Sequence, residues 1–369
     1  MQQGITPGGV FFLLFAYHTA NLNRILSPLL QVSGFAALLG LAASFLAGGF
    51  FVWAALGLMR QLPTGDWYAD GAAIVGRWPH QAVMLLVLLY FLLRGALELR
   101  GMAVQIHMLY LPQTPSAALT FVYCAVAGIA VRYGIVNITY FAQYFSLYTI
   151  PLIALVIGLS FSMPLNFSML VALFTHMATP QATEAVLGGF MQGHWVAEPF
   201  FLLFLASGLS DLKLTRRAVL ASMLLFFVHT GAHLVSILLS FGPVVAANMS
   251  YPVVEQLRFI RVGDFFENMD PVIMLILMPI IMLKISIYLY IATLTMGHLL
   301  KIKDIRPLAF TTVTLAGMFS LQFVSRATEI EMFVQLFWRW FAWLVLGIPL
   351  LYSLMARWRG ISRRKERGA

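Results

Sequence analysis

Cysteine and charge are the two features that this sequence has least of. Its 369 residues include one cysteine, Cys124, and only 10% are Asp, Glu, Lys or Arg. A single cysteine excludes a disulfide framework and a cysteine-based metal site. A soluble domain is also excluded, because 61% of the residues are hydrophobic and present more apolar surface than one soluble core of this length can bury. The composition predicts a polytopic membrane protein.

The sequence signatures of common enzymes are missing as well. We find no Gly-rich phosphate loop after a strand, no nucleophile elbow and no carboxylate pair at catalytic spacing. His229 and His233 stand four residues apart in "HTGAH", but Thr230 replaces the Glu of the HExxH metalloprotease pattern. Polar packing between helices explains these histidines better than a metal site, because a further ligand is missing. We therefore expect no enzymatic activity, no cofactor and no bound metal.

Long apolar segments are what the sequence has in abundance. Runs of about 20 residues, enough to cross about 30 Å of hydrocarbon as helices, recur along the chain, whereas barrel strands would alternate in polarity. The stretch "MQQGITPGG" lacks the basic region of a cleaved signal peptide. Residues 161–183 are apolar but interrupted by proline, which fits a re-entrant or surface-lying segment as well as a span. We predict about ten helices, at 5–26, 33–59, 80–108, 115–131, 138–161, 183–208, 214–241, 271–298, 306–325 and 331–356.

The distribution of basic residues predicts an orientation. If both termini are cytoplasmic, only Arg24, Arg258, Arg261 and Arg326 face outward, and the positive-inside rule is satisfied by an even number of spans. The net charge of +9 then reflects topology and contact with anionic lipid, and we expect no nucleic-acid binding. The inner side would carry Arg60, Arg77, Arg132, Lys213, Arg216, Arg217, Lys301, Lys303, Arg306 and the basic tail at 357–369.

Ionisable residues within the predicted spans are candidates for function, because a charge in hydrocarbon is costly. Arg94 and Glu98 are four residues apart on the third helix, which predicts a structural ion pair. Glu198 in the sixth helix and Lys284 in the eighth have no partner on their own helix. Arg339 lies between two tryptophans in the tenth helix and is predicted to be an interface anchor.

The first and sixth predicted helices share a pattern of glycine pairs followed by polar residues. The first reads "TPGGVFFLLFAYHTANLNR" and the sixth "EAVLGGFMQGHWVAEP". Breakable helices at matching places in two halves are typical of transporters built as inverted repeats, whose unwound backbone binds substrate. The alternative is that the glycines only allow close helix packing. As candidate ligand-binding residues we predict Tyr17, His18, Thr19, Asn21, Gly188, Gly189, Gly193, His194 and Glu198.

Several motifs in one order resemble the spore germination permease family, the B-type integral membrane subunits of nutrient germinant receptors. They are "LPQTP" at 111–115 after a helix bearing Arg94, then "YGIVNITYFAQYF", then "YPVVEQLRFIRVGDFFENMDPVIM", then Lys284 followed by "ISIYLY". That family is part of the amino acid/polyamine/organocation superfamily. The resemblance implies an all-α polytopic protein with ten transmembrane helices in a five-plus-five inverted repeat of the LeuT type. It implies one integral membrane domain over 1–369, with a first repeat at about 5–161 and a second at about 183–356.

The resemblance also implies a function. It places the protein in the inner membrane of a spore, beside an A-type membrane subunit and a C-type lipoprotein, with a small nutrient such as an amino acid bound where the first and sixth helices unwind. The chain departs from the family at "HTAN", at Tyr140 and at Asn268, and a pocket with His18, Asn21 and His194 need not prefer alanine. A proton- or sodium-coupled amino-acid symporter of the same superfamily is the first alternative. A membrane scaffold that binds nothing is the second.

The charged stretch from Tyr251 to Asp270 leads into the eighth helix. Its apolar positions Val254, Leu257, Ile260 and Val262 are spaced as in a short amphipathic helix. We expect this helix to lie on the outer face, where it would cover a vestibule or dock a partner through Arg258 and Arg261.

Lys284 is placed near the middle of the eighth helix, too deep for its ammonium to face lipid. In sodium-coupled relatives of the five-plus-five type, the eighth helix lines a cation site against the first helix. We therefore expect Lys284 to act as a tethered cation that holds the unwound carbonyls near Ala20 in place of sodium. The alternative is a structural pair with Glu198 or Glu98.

Overall fold

The computed structural model describes residues 4–175, 180–260, 269–322 and 332–361. Almost all of these residues are helical. The first half contains α1 (Pro7–Thr19), α2 (Leu22–Ser33), α3 (Ala37–Gln61), α4 (Trp67–Val75), α5 (Arg77–Leu109), α6 (Ser116–Tyr133), α7 (Ile135–Ser160) and α8 (Ser168–Thr175). The second half contains α9 (Pro180–Val196), a 3-10 segment (Glu198–Gly208), α10 (Leu212–Ala246), α11 (Pro252–Arg258), α12 (Asp270–Leu300), α13 (Leu308–Gln322), a π segment (Val334–Trp338), α14 (Arg339–Leu346) and α15 (Ile348–Trp358).

The helices of the described ranges group into ten spans at the predicted places. Seven segments are long and apolar enough to cross a membrane by themselves. One of them, Leu22–Gln61, is two helices, because a 3-10 turn interrupts it at Gly34–Ala36 and Gly34 has a φ of +50°. The remaining spans are α1 with α2, α9 with the 3-10 segment, and the 15-residue helix α13. The protein is therefore a multi-pass membrane protein.

The proline-interrupted region at 161–183 forms the short helix α8 and not a span. At 1.5 Å per residue, its eight residues reach about 12 Å, well short of about 30 Å of hydrocarbon. Residues 176–179 of this region lie outside the described part of the chain.

The first span breaks where the sequence predicts it. α1 ends at Thr19, a turn follows at Ala20 and Asn21, and α2 begins at Leu22. The Thr19 hydroxyl donates back to the carbonyl of Phe15 at 2.9 Å, and the backbone N–H of Asn21 donates to the carbonyl of His18 at 2.8 Å. These bonds satisfy part of the exposed backbone at the end of α1.

The break of the sixth span lies further along than predicted. We expected it between Gly188 and His194, but α9 is continuous from Pro180 to Val196 and the chain turns at Ala197. Pro199 explains the position, because proline has no N–H to continue the helical bonds and disfavours helical backbone in the residue before it.

The glycines of α9 face α3. A Cβ at Gly189 would overlap the backbone of Gly40, and a Cβ at Gly193 would lie 2.8 Å from the Cβ of Ala47. On the opposite helix, a Cβ at Gly48 would lie 2.7 Å from the carbonyl oxygen of Gly193. Small residues on both helices therefore let α3 and α9 approach closely, which is the packing alternative for these glycines.

Substitution of Gly189 tests this helix contact. We expect Gly189→Ala to lower the free energy of unfolding by about 1–3 kcal/mol, since the new methyl group must push two backbones apart. Gly188→Ala is the matched control, because the nearest atom to its Cβ would be Val32 Cγ1 at 3.6 Å. Denaturant unfolding of the purified protein in detergent measures both, and equal stability of the two variants would contradict the packing role.

The predicted amphipathic helix near the eighth span is α11. Val254, Leu257 and Ile260 are buried, while Arg261 and Val262 lie outside the described residues. Ser250 and Tyr251, immediately before α11, line the cavity described below. The start of α11 therefore lies beside that cavity.

Candidate functional site

Four charged side chains meet where the two broken spans face α5 and α12. We call Arg94, Glu98, Glu198 and Lys284 the buried charge cluster, since none of them is more than 3% exposed. Their formal charges sum to zero. Balance of this kind is needed at such depth, because an unpaired buried charge is strongly destabilising.

Each carboxylate of the buried charge cluster contacts both cations. Glu98 Oε1 lies 2.6 Å from Arg94 Nη2 and accepts a hydrogen bond from Lys284 Nζ at 3.0 Å. Glu198 Oε1 accepts from Arg94 Nε at 3.0 Å, and Glu198 Oε2 lies 3.7 Å from Lys284 Nζ. The predicted pair of Arg94 and Glu98 is thus half of a four-charge network, and Lys284 contacts both of its predicted carboxylate partners.

Asn21 joins the two breaks to the cluster. Its Nδ2 donates to Glu198 Oε2 at 2.7 Å and to the carbonyl oxygen of Trp195 at 3.1 Å, and its Oδ1 accepts from Lys284. The carbonyl of Trp195 needs such a donor, because Pro199, four residues on, has no N–H to give it. We expected Lys284 to contact backbone carbonyls near Ala20. It reaches the first break through the Asn21 side chain instead.

Aromatic residues enclose the cluster. Tyr17 donates to the Tyr288 hydroxyl at 2.5 Å, and Tyr288 donates to Glu198 Oε1 at 2.8 Å. The Arg94 Cζ lies 4.4 Å from the centroid of the Trp195 ring and 5.1 Å from that of Tyr288, within cation–π range. The site is consequently built from α1, α5, α9 and α12 together.

A cavity of about 260 Å³ adjoins the buried charge cluster. Glu98 belongs to both, so a ligand in the cavity would touch the network at that carboxylate. The walls include Thr19, Ala20, Asn23, Arg24, Ser27, Glu98, Gly101, Met102, Gln105, Gln192, His194, Trp195, Ser250, Leu277, Ile281, Val334 and Arg339.

The structure separates the candidate residues chosen from the sequence into three groups. Thr19 and His194 line the cavity. Tyr17, Asn21 and Glu198 belong to the charge cluster and its hydrogen bonds. The others lie elsewhere. His18 is buried, and its ring stacks on that of Phe226 with the two ring centroids 4.9 Å apart. Gly188, Gly189 and Gly193 lie outside the cavity wall.

Several residues of the cavity wall were not predicted from the sequence. The sequence predicts an outward-facing charge at Arg24 and an interface anchor at Arg339, and it predicts no role for Gln192 or Trp195. Arg24 lies three residues beyond Asn21, the N-cap residue of α2, and this spacing of about one helical turn is the available signal. No comparable local signal marks Arg339, because its approach to the cavity depends on how α14 packs.

Arg258 fastens α11 to the start of α12. Its Nε and Nη2 donate to the two carboxylate oxygens of Asp270 at 2.8 and 3.0 Å, and Nη2 also donates to the carbonyl of Leu109 at 3.3 Å. The hydrogen bonds to Asp270 raise the pKa of Arg258. Arg261, the second predicted residue of this loop, lies outside the described residues.

A double-mutant cycle measures this ion pair. We expect Arg258→Ala and Asp270→Ala to show a coupling free energy of only about 0.2–1 kcal/mol, because both side chains are partly exposed and water screens their attraction. Denaturant unfolding of the two single variants and the double variant gives the coupling. Strictly additive effects would contradict a direct pair.

Comparison with known proteins identifies relatives of the chain. The family model described as spore germination protein, the spore permease family, matches residues 41–329. The putative spore germination protein YfkT of Bacillus subtilis (strain 168) is 30% identical over 290 residues, which cover 75% of each protein. Spore germination protein XB of Bacillus anthracis is 25% identical over 195 residues, 51% of each protein.

Three solved structures share the fold of this chain. A Na⁺-coupled sialic acid symporter in a substrate-bound outward-open state matches with a TM-score of 0.61 at 13% identity, covering 96% of this chain and 78% of its own. The nucleobase-cation-symport-1 family transporter Mhp1 gives the same TM-score and coverage at 12% identity. MhsT in complex with L-phenylalanine gives 0.59 at 12% identity, covering 97% and 99%. The predicted ten-helix fold of the LeuT type is confirmed.

Proposed function

The chain belongs to the spore germination permease family, and from that premise we propose that it is the permease-like subunit of a spore germinant receptor that binds a small nutrient. One observation carries the proposal: the cavity ends on Glu98, which belongs to the buried charge cluster that contacts both broken spans. A ligand placed there would touch the network that joins the two broken spans, whose relative position would change.

The same contacts supply a route from ligand to conformational change. A ligand that alters the contacts of Glu98 also alters those of Lys284, which contacts Asn21 at the first break and Glu198 at the second. The two breaks would then move as a unit, and the partners would sense that movement. We propose as partners an A-type membrane subunit and a C-type lipoprotein in the inner membrane of the spore, with both termini of this chain cytoplasmic.

We propose that the Lys284 ammonium replaces a bound cation. Its ammonium lies between α1, α5 and α12 with oxygen atoms of Asn21 and Glu98 around it, which is the donor chemistry that a sodium ion would use. A positive charge fixed to α12 needs no ion from solution. Ligand binding should therefore be independent of sodium.

A ligand screen of the purified protein, repeated with a variant whose cavity is filled, tests the proposed function. We expect at least one compound among amino acids, organic acids, sugars and nucleosides to stabilise the purified protein, by about 2.7 kcal/mol at 100 times its Kd. Gln105→Trp should abolish that shift, because Gln105 is a partly exposed residue of the cavity wall and the larger ring fills the space. The exposed Arg217→Gln is the control. A shift that persists in the Trp variant, or no shift with any compound, would contradict the proposal.

The symporter alternative rests on the fold shared with coupled transporters. Uptake into proteoliposomes separates it from the receptor, since a symporter accumulates ligand against its gradient when protons or sodium are supplied. We expect saturable binding without such accumulation. A scaffold that binds nothing would show neither.

A further inference from the structure

The cavity carries positive charge beyond that of the buried charge cluster. Arg24 and Arg339 both line it, and Glu98 is the one carboxylate among the lining residues of the described ranges. Glu98 already neutralises the cluster, since its Oε1 contacts Arg94 and Lys284. Counted over the described residues, the two arginines therefore give the wall an excess of two positive charges.

Arg24 lies in the wall, and the described residues use few of its N–H donors. Its Nη2 has one long contact, 3.5 Å to Glu98 Oε2, and its side chain is 27% exposed. The Cζ lies 5.3 Å from the centroid of the Trp195 ring, and a Cβ at Gly101 would lie 2.8 Å from Nη2. The guanidinium thus packs against a flat aromatic ring and against the bare backbone of a glycine, beside the open space.

Arg339 is a second guanidinium with an unused donor. Its Nε is buried and has no hydrogen-bond partner among the described residues. Buried donors are normally paired, and a guanidinium presents a fork of N–H groups that matches a carboxylate. The unused donor therefore points to an acceptor that the described part of the chain does not supply.

His194 offers a hydrogen-bond acceptor to the cavity, whereas the two arginines offer donors. Its Nδ1 is 2.8 Å from the carbonyl oxygen of Met191, which can only accept, so Nδ1 carries the proton. Nε2 of the neutral ring is then an acceptor, and it is buried without a partner among the described residues. A ligand that satisfies His194 must bring a hydrogen-bond donor.

We infer that this cavity selects a small organic acid of net negative charge that also carries a hydroxyl or amino donor, with its carboxylate groups on Arg24 and Arg339 and its donor on His194 Nε2. The inference rests on the proposed function, since it assigns the ligand class of the same cavity. A zwitterionic amino acid fits less well, because it leaves the excess of positive charge unchanged and places an ammonium beside two guanidinium groups.

Two pairs of probes test the inference by calorimetric titration of the purified protein. L-Aspartate and L-asparagine have nearly the same shape and differ by one negative charge, and we expect aspartate to bind at least about tenfold more tightly. L-Malate and succinate differ by one hydroxyl, and we expect malate to bind at least about tenfold more tightly, since succinate leaves His194 unpaired. Equal or tighter binding of asparagine overturns the charge requirement, and equal binding of succinate overturns the donor requirement.

Variants tie the preference to the two arginines. Arg24→Gln and Arg339→Gln should each reduce the ratio of aspartate to asparagine affinity, whereas Arg217→Gln should keep it. Gly101→Ala should lower the ratio in part by displacing the Arg24 guanidinium. A purely structural arginine would change the unfolding temperature and not this ratio, so an unchanged ratio in folded Arg24→Gln and Arg339→Gln overturns the inference. If a neutral nutrient binds and the acids do not, the inference fails while the proposed function stands; if no compound binds, both fail.

Discussion

Lys284→Met is expected to lower the free energy of unfolding by about 3–5 kcal/mol, the usual cost of removing one partner from a buried ion network. The ammonium is completely buried, with Glu98 at 3.0 Å and Glu198 at 3.7 Å. Without it, the buried charge cluster has two carboxylates and one cation, Arg94, and the partly exposed Arg24 lies 3.5 Å from Glu98 at its edge. Denaturant unfolding in detergent measures the loss, with Lys213→Met on the exposed start of α10 as the control.

A second substitution distinguishes charge balance from lost packing. In Lys284→Met with Glu98→Gln, the remaining charges of Arg94 and Glu198 cancel, and we expect much of the stability to return. Ligand binding should not return, because the cation between α1 and α12 is still missing. Full stability of the single variant, or a double variant as unstable as the single one, would contradict the role of the cluster.

Glu198→Ala is expected to have an effect of similar size, about 3–5 kcal/mol. The Glu198 carboxylate accepts hydrogen bonds from Arg94 at 3.0 Å, Tyr288 at 2.8 Å and Asn21 at 2.7 Å. Alanine leaves these three buried donors without their acceptor, and each unsatisfied group costs free energy. The same unfolding measurement applies, and Glu184→Ala is the matched control because Glu184 is an exposed carboxylate of the same span.

The variant Glu198→Gln separates the charge of Glu198 from its shape and hydrogen bonding. The amide keeps the shape and one acceptor oxygen but removes the charge, so we expect part of the stability to be retained. Because the cluster then carries one excess positive charge, the contact between the two breaks is weakened and ligand affinity should fall. A folded Gln variant with unchanged affinity would show that Glu198 serves stability alone.

The spans and the charge cluster could be anticipated from the sequence because their causes are local. A run of apolar residues specifies a membrane helix wherever it packs, and a charged residue within such a run must find a partner. Arg94, Glu98, Glu198 and Lys284 were identified on that basis, and they meet at one site. The pair of Arg94 and Glu98 could be predicted from its spacing on one helix, whereas the full network with Glu198 and Lys284 depends on how α5, α12 and the 3-10 segment approach one another.

The second break and the cavity wall show where sequence analysis falls short. Glycine serves both helix breaks and close packing, and Gly189 turned out to be a packing residue. Pro199 was the better local signal for the break. Arg24 and Arg339 come from opposite ends of the chain, and only the tertiary structure shows that they face the same space.

We propose that the protein supplies its own cation, the ammonium of Lys284, between the first and eighth spans. The most direct test is a binding isotherm for the best ligand, measured with wild-type protein in sodium chloride and again in choline chloride at the same ionic strength. We predict the same Kd in both, and loss of binding in both for the charge-balanced variant Lys284→Met with Glu98→Gln. Wild-type binding that appears only when sodium is present would contradict the claim.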